Sequence, residues 1–129
     1  MGEVMRVLLV EDDEDLSDVI TVSLETEGYE TRSTSKGIDA ITIAKSFEPH
    51  AIVLDVGLPD LNGWTVAMMI RKFNMSTKIF LFTGWAHLSE LPQAHTEHVN
   101  SVLVKPHDVN RLFAELAEAD RARNAGTHP

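Results

Sequence analysis

Short apolar runs alternate with amphipathic segments along most of this chain. The first run, Arg6 to Val10, is rich in Val and Leu and indicates a strand buried on both faces. An acidic stretch follows, where a helix dipole favours negative charge, and the next segment ends at Gly28. Its apolar residues recur at helical spacing: Leu16, Val19, Ile20 and Leu24. The first predicted unit is therefore a strand followed by a helix.

The same alternation continues to the end of the chain. The further predicted strands are Tyr29–Ser33, Ala51–Asp55, Lys78–Phe82 and Ser101–Val104. Two of the helices that follow them are predicted through Ile38, Ile41 and Ala44, and over Gly63–Phe73. Between Trp85 and Asn100 the apolar residues lose the helical period and Pro92 interrupts them, so we expect a short, broken or mobile helix.

The last helix is predicted after Pro106, with Asp108 as its N-cap. Its apolar face would hold Val109, Leu112, Phe113 and Leu116. Because each crossover helix must bury its apolar stripe, the alternation predicts a parallel sheet covered on both faces, which is a doubly wound α/β fold of five βα units. We expect one domain over residues 4–122 and a flexible tail over residues 123–129.

Composition narrows the function classes. The formal net charge of −9 disfavours direct contact with nucleic acid or with anionic membranes, so protein partners are expected. The chain has no cysteine, which excludes thiolate chemistry and suits a reducing compartment. It shows neither a signal-peptide pattern nor an apolar run long enough for a bilayer, and we therefore expect a cytoplasmic location.

Reactive side chains follow most of the predicted strands. Ligands of open parallel sheets bind beyond the carboxyl ends of the strands, so these positions are informative. The residues delivered there are Glu11 and Asp12 after the first strand, Asp55 at the end of the third, Thr83 after the fourth and Lys105 after the fifth. They predict an acidic cluster with one hydroxyl and one ammonium group beside it.

Clustered carboxylates repel one another, and a hard divalent cation offsets this repulsion. Mg²⁺ is the expected ion, with Mn²⁺ as an alternative, held by Glu11, Asp12, Asp55 and the backbone carbonyl of Gly57. Asp55 would act as the nucleophile that accepts a phosphoryl group. Lys105 would supply charge to the site, and the Thr83 hydroxyl would bond to the phosphoryl group once it is present.

Several spaced motifs together resemble the receiver domain of two-component response regulators. They are VLLVEDDEDL, AIVLDVGLPDLNGW, LFTG and VLVKP, each at a predicted strand end. The resemblance implies a flavodoxin-like three-layer sandwich with strand order 2-1-3-4-5. It implies phosphotransfer to Asp55 from a histidine kinase or a histidine phosphotransfer protein. It also implies a regulatory domain, here a stand-alone one, that assists its own phosphorylation and dephosphorylation and signals to a protein through its last two strand–helix units.

The sequence departs from the family pattern at the position three residues before Lys105, where Val102 replaces a common aromatic residue. Trp85 is the proposed replacement, so Thr83, Trp85 and Val102 are the switch candidates. Three histidines nearby, His87, His95 and His98, are interpreted as solvated side chains rather than as metal ligands.

Two other functions remain open at the sequence level. One is a haloacid-dehalogenase-type phosphatase with an aspartyl-phosphate intermediate, which would require a second acid where Gly57 stands. The other is a receiver that works as a binding module without phosphorylation, or one detached from a larger hybrid kinase.

Overall fold

Five strands form one parallel sheet in the computed structural model, which describes residues 3–84, 87 and 97–125. The strands are β1 (Arg6–Val10), β2 (Glu30–Thr34), β3 (Ala51–Leu54), β4 (Lys78–Thr83) and β5 (Ser101–Val104). Their order is β2-β1-β3-β4-β5, and every neighbouring pair is parallel. The predicted doubly wound fold and strand order are confirmed.

The helices of the described residues connect these strands. They are α1 (Glu14–Thr26), α2 (Gly37–Phe47), α3 (Gly63–Arg71) and α4 (Val109–Ala125). The predicted bounds of β1 and β5 match, whereas β3 stops at Leu54 and leaves Asp55 just beyond the strand. The last helix continues to Ala125, three residues past the expected domain boundary at residue 122. None of the described helices is long and apolar enough to cross a bilayer.

The central strands bury both of their faces in separate apolar layers. Along β1, Val7 and Leu9 pack into the layer under α1 and α4, while Leu8 and Val10 pack into the layer under α2 and α3. This alternation follows from the side-chain period of two in a strand. It explains why these strands appear in the sequence as continuous apolar runs. The edge strand β2 is mostly polar, which suits an edge that pairs on one side only.

Two predicted core positions are exposed. Val19 of α1 is 63% exposed and Ile38 of α2 is 59% exposed. The inward-facing residues of α1 lie four positions apart and do not include Val19; they are the half-buried Leu16 and the buried Ile20 and Leu24. On α2 the small side chains of Ala40 and Ala44 face the sheet in place of Ile38. In contrast, the predicted apolar face of the last helix is confirmed.

Asp108 differs from its predicted role as a side-chain N-cap. Its Oδ2 accepts a hydrogen bond at 2.9 Å from the backbone N–H of Val104, the last residue of β5. Only its backbone carbonyl accepts from α4, from the N–H of Leu112 at 2.8 Å. The carboxylate therefore fixes the turn that carries Lys105. The irregular segment predicted around Pro92 lies outside the described residues, apart from His87 and residues 97–100.

Candidate functional site

The carboxyl ends of β1, β3, β4 and β5 carry the predicted reactive residues to one edge of the sheet. Asp55 directly follows β3, and its N–H donates to the Val10 carbonyl at 3.0 Å. Thr83 is the last residue of β4, and its carbonyl accepts from the N–H of Lys105 at 2.9 Å. Hydrogen bonds between neighbouring strands thus fix the backbone positions of Asp55, Thr83 and Lys105.

The two carboxylate oxygens of Asp55 have different donors. Oδ1 accepts a hydrogen bond from the Thr83 hydroxyl at 2.8 Å and one from the Gly57 N–H at 3.2 Å. Oδ2 accepts from the Lys105 ammonium at 2.8 Å. Asp55 is only 5% exposed and Thr83 is fully buried. The carboxylate is therefore held in one orientation.

Lys105 bridges two buried acids. Its Nζ lies 2.5 Å from Oε1 of Glu11 and 2.8 Å from Oδ2 of Asp55. The other oxygen of Glu11 accepts from the N–H of Asp13 at 3.1 Å, which orients this carboxylate as well. A single ammonium group thus separates two carboxylates that would otherwise repel each other.

Burial and the shared ammonium perturb these groups in opposite directions. Burial raises the pKa of Glu11 to about 7, with the nearby Asp55 charge adding to the effect and Lys105 opposing it. Burial also acts to raise the pKa of Asp55, but hydrogen bonds from Lys105, Thr83 and Gly57 outweigh it and lower that pKa. Burial acts to lower the pKa of Lys105, and its two acidic partners raise it overall. Asp55 is therefore the acid of this pair that stays ionised at neutral pH.

Asp12 completes the acidic cluster from the solvent side. One carboxylate oxygen from each of Glu11, Asp12 and Asp55 lies within 4.8 Å of the others, and Asp12 is exposed while its partners are buried. The next acid, Asp13, accepts from the N–H of Leu16 at 3.1 Å and so caps α1. The adjacent acids Asp12 and Asp13 therefore have separate tasks.

The loop after Asp55 closes tightly on itself. The N–H of Gly63 donates to the Val56 carbonyl at 2.9 Å, and Gly57 forms an isolated antiparallel bridge with Asn62. A Cβ at position 63 would lie 2.1 Å from the backbone oxygen of Asp55, so only glycine fits there. Gly63 thus lets α3 begin directly beside the carboxylate. Metal binding by the Gly57 carbonyl stays a prediction.

The model of the response regulator receiver domain family matches residues 7–117. The chain belongs to this family.

Curated relatives of this receiver domain are about twice its length. The DNA-binding dual master transcriptional regulator RpaA of Synechocystis is 29% identical over 129 residues, which cover 95% of this chain and 54% of the relative. The cell cycle response regulator CtrA of Brucella ovis is 29% identical over 112 residues, which cover 87% of this chain and 48% of the relative. The chain therefore spans about half the length of these relatives.

Solved receiver structures share the fold. The response regulator TrrA of Thermotoga maritima in complex with Mg²⁺–BeF superposes with a TM-score of 0.81 at 25% identity, covering 90% of this chain and 99% of that one. TrrA in complex with the histidine kinase ThkA gives a TM-score of 0.79 at 25% identity, covering 90% and 98% of the two chains. The first of these complexes contains magnesium, and the second contains a kinase.

Asp60 is a positioning residue of the receiver domain that sequence reasoning missed. Its carboxylate accepts hydrogen bonds from the N–H groups of Gly37 at 2.7 Å and Ile38 at 2.9 Å, both at the start of α2. The residue at the N-cap position of α2 is Lys36, which makes no side-chain cap. A lysine at the N-cap position indicates in the sequence that α2 needs another acceptor for its first N–H groups. The local sequence does not show that this acceptor is Asp60, in the loop after Asp55.

His87 is exposed, in line with its interpretation as a solvated side chain, and it also lies near the site. A Cβ on Gly57 would lie 2.5 Å from Nε2 of His87, so the imidazole packs against the glycine two residues past Asp55. Val102 is half-buried against the layer under α2 and α3. Trp85 lies outside the described residues, and its switch role stays a prediction.

Proposed function

We propose that Asp55 accepts a phosphoryl group from the phosphohistidine of a histidine kinase or a histidine phosphotransfer protein. One observation carries this proposal: each oxygen of a buried carboxylate bonds to a separate donor, Thr83 on one side and Lys105 on the other. An aspartate used only to stabilise the fold would not need a cluster of further acids at the same sheet edge.

The proposed transfer forms one bond and breaks one. A carboxylate oxygen of Asp55 attacks phosphorus, a new P–O bond forms, and the P–N bond to the donor imidazole breaks as that ring leaves. Lys105 then faces the added negative charge, since its ammonium already lies 2.8 Å from Asp55. Its release from Asp55 or Glu11 toward a phosphoryl oxygen would keep the charges paired.

The acidic cluster supports a magnesium site at Glu11, Asp12, Asp55 and the Gly57 carbonyl, with Mn²⁺ as a second possibility. Mg²⁺ takes oxygen ligands at about 2.0–2.1 Å, so its ligands lie at most about 4.2 Å apart. The carboxylate oxygens lie within 4.8 Å of one another, which requires only a small inward movement. A bound ion would neutralise charge on the oxygens of the transferring group.

We infer that the signal passes from Thr83 to the surface formed by β4, β5 and α4. Its hydroxyl now donates to Asp55, and a phosphoryl oxygen on Asp55 would compete for this donor. Thr83 would then move, and the neighbouring switch candidates Trp85 and Val102 would repack. A net charge of −9 favours a protein as the receiving partner over nucleic acid. The domain would act in the cytoplasm as a regulator rather than as an enzyme that turns over a separate substrate.

The decisive experiment is incubation with acetyl phosphate or phosphoramidate and Mg²⁺, followed by intact mass measurement. We expect one acid-stable, base-labile phosphoryl adduct on the native chain and none on Asp55→Asn. A native chain that never acquires an adduct contradicts the proposal. Steady release of many equivalents of phosphate from phosphomonoesters would instead indicate the dehalogenase-type phosphatase.

The magnesium site has its own matched pair of variants. Asp12→Asn removes one carboxylate of the cluster, and Asp15→Asn removes another exposed carboxylate from the first turn of α1. We expect Asp12→Asn to weaken Mg²⁺ binding by about tenfold in calorimetric titration and Asp15→Asn to change it little. Equal effects would mean that Mg²⁺ responds only to the overall negative charge.

A further inference from the structure

A cavity of about 650 Å³ lies at the edge of the sheet opposite Asp55. It is bounded by the starts of β1 and β4, by His50 just before β3, and by the last turns of α4. The chain from His50 to Asp55 spans roughly 16 Å along an extended strand, so the two sites are separate. The volume is in the range of small-molecule sites.

The cavity wall is cationic although the chain as a whole is strongly acidic. Arg6, Lys78 and Arg123 line it. The guanidinium of Arg6 donates to the carbonyls of Phe47 at 3.0 Å and Glu48 at 2.9 Å, which position it without neutralising its charge. Lys78 is exposed at the start of β4. Three permanent cations therefore surround one concave surface.

Acidic groups neutralise this surface only in part: Glu48 lines the cavity, and two further acids pair with its cations. Glu3, whose side chain is 64% exposed, lies 2.9 Å from Arg6 and 3.3 Å from Nε2 of His50. Asp120 lies 3.0 Å from Arg123. Burial lowers the pKa of His50, and the charges of Arg6 and Arg123 lower it further, while Glu3 opposes them.

Two buried polar atoms of residues that line the cavity have no hydrogen-bond partner among residues 3–84, 87 and 97–125. They are Oγ1 of Thr77, a residue that is only 3% exposed, and Nε of Arg123. Buried polar groups are nearly always paired, and each exception calls for a physical explanation. Both atoms belong to residues that line this cavity beside the ammonium-bearing Lys78. Phe73 lines the same cavity and supplies an apolar surface.

We propose that this cavity binds a small organic anion, with a carboxylate or phosphate group held by Lys78, Arg123 and Thr77 and an apolar part resting on Phe73. Such a ligand would pair the cations of the wall, and a rotation of the Thr77 side chain toward the cavity would let its hydroxyl donate to a ligand oxygen. It would contact β4 at its first residue, while Thr83 ends the same strand at the phosphoacceptor site.

The test uses the isotope-labelled full chain without Mg²⁺, at constant ionic strength, in NMR titrations. The probes are phenyl phosphate, benzoate and inorganic phosphate, with benzyl alcohol as the neutral aromatic control. We expect saturable shifts of the Thr77 and Lys78 amides for phenyl phosphate or benzoate, with Kd near 1 mM or below. Comparison of these two probes identifies the preferred anion, and inorganic phosphate shows the contribution of the aromatic group.

Two variants separate a built site from general charge attraction. Lys78→Gln should raise Kd by about tenfold. The control is Lys36→Gln, the same change at an exposed lysine just before α2, which should leave Kd within about twofold. Thr77→Val should also weaken binding. Shifts that stay linear up to about 20 mM, or equal weakening by both lysine variants, would overturn the proposal.

Discussion

The Thr83 hydroxyl donates a hydrogen bond of 2.8 Å to Oδ1 of Asp55, and both side chains are buried. The hydroxyl is thus already engaged with the carboxylate before any phosphoryl group is present. Its proposed movement on phosphorylation is an exchange of one acceptor for another. The unmodified protein therefore contains a specific Thr83–Asp55 hydrogen bond that the proposed phosphorylation would break.

The first prediction uses this bond. Thr83→Val should lower the free energy of unfolding by about 1–2 kcal/mol, because an ionised carboxylate loses a buried donor. Urea denaturation at pH 7 measures the change. The matched control is Thr77→Val, which removes a buried hydroxyl that has no partner within the described part of the chain and should be neutral or stabilising. An equal loss in both variants would show that the Thr83 hydrogen bond contributes nothing specific.

The second prediction concerns Lys105. Lys105→Met should increase Mg²⁺ affinity by about tenfold, since the ammonium that neutralises Glu11 and Asp55 is removed. The same variant should acquire the phosphoryl group from acetyl phosphate more slowly, because a cation that faces the transferred group is lost. Calorimetry and intact mass measure the two effects, with Lys36→Met as the control. Weaker Mg²⁺ binding would mean that Lys105 organises the cluster rather than competing with the ion.

The third prediction tests the close approach at Gly63. Gly63→Ala should destabilise the fold by about 3 kcal/mol, because its Cβ would lie 2.1 Å from the backbone oxygen of Asp55. Gly84→Ala is the control, since a Cβ there meets no atom of the described residues within 4 Å and should change stability by roughly 0.5 kcal/mol or less. Thermal and urea denaturation report both. A tolerated Gly63→Ala would require the loop after Asp55 to be able to open.

The fourth prediction gives a pH dependence for Asp60. Hydrogen bonds from the N–H groups of Ile38 and Gly37 lower the pKa of Asp60 below its ordinary value of 3.8. A lowered folded-state pKa means that the stabilisation is fully present above the ordinary value and is lost as the pH falls through the folded pKa. Asp60→Ala should therefore cost about 1 kcal/mol at pH 7 and progressively less below pH 4.

The control for Asp60 is Asp39→Ala, which removes an acid from the first turn of the same helix. Asp39 is exposed and acts on α2 mainly through the helix dipole, so its removal should cost about 0.5 kcal/mol. Urea denaturation between pH 3 and pH 7 compares the two variants. A cost for Asp60→Ala that is independent of pH would show that the charge of the carboxylate is not what caps α2.

The sequence by itself determined the strands and the list of reactive residues. Apolar runs such as Arg6–Val10 are local patterns, and a parallel sheet brings every strand's carboxyl end to one edge, so Asp55, Thr83 and Lys105 were predicted to meet. The periodicity of the last helix was likewise sufficient to predict which of its residues face the core. These features depend on side-chain spacing along a single element.

Only the tertiary structure decided how those residues are paired. Lys105 bridges Glu11 and Asp55, and Asp60 caps a helix that begins 23 residues earlier in the chain. Val19 and Ile38 fit helical periodicity but are exposed, because the rotation of each helix on the sheet depends on the opposing side chains. The cationic cavity combines Arg6 with Arg123, from opposite ends of the chain. Such contacts arise from strand register and helix packing, which local sequence patterns do not encode.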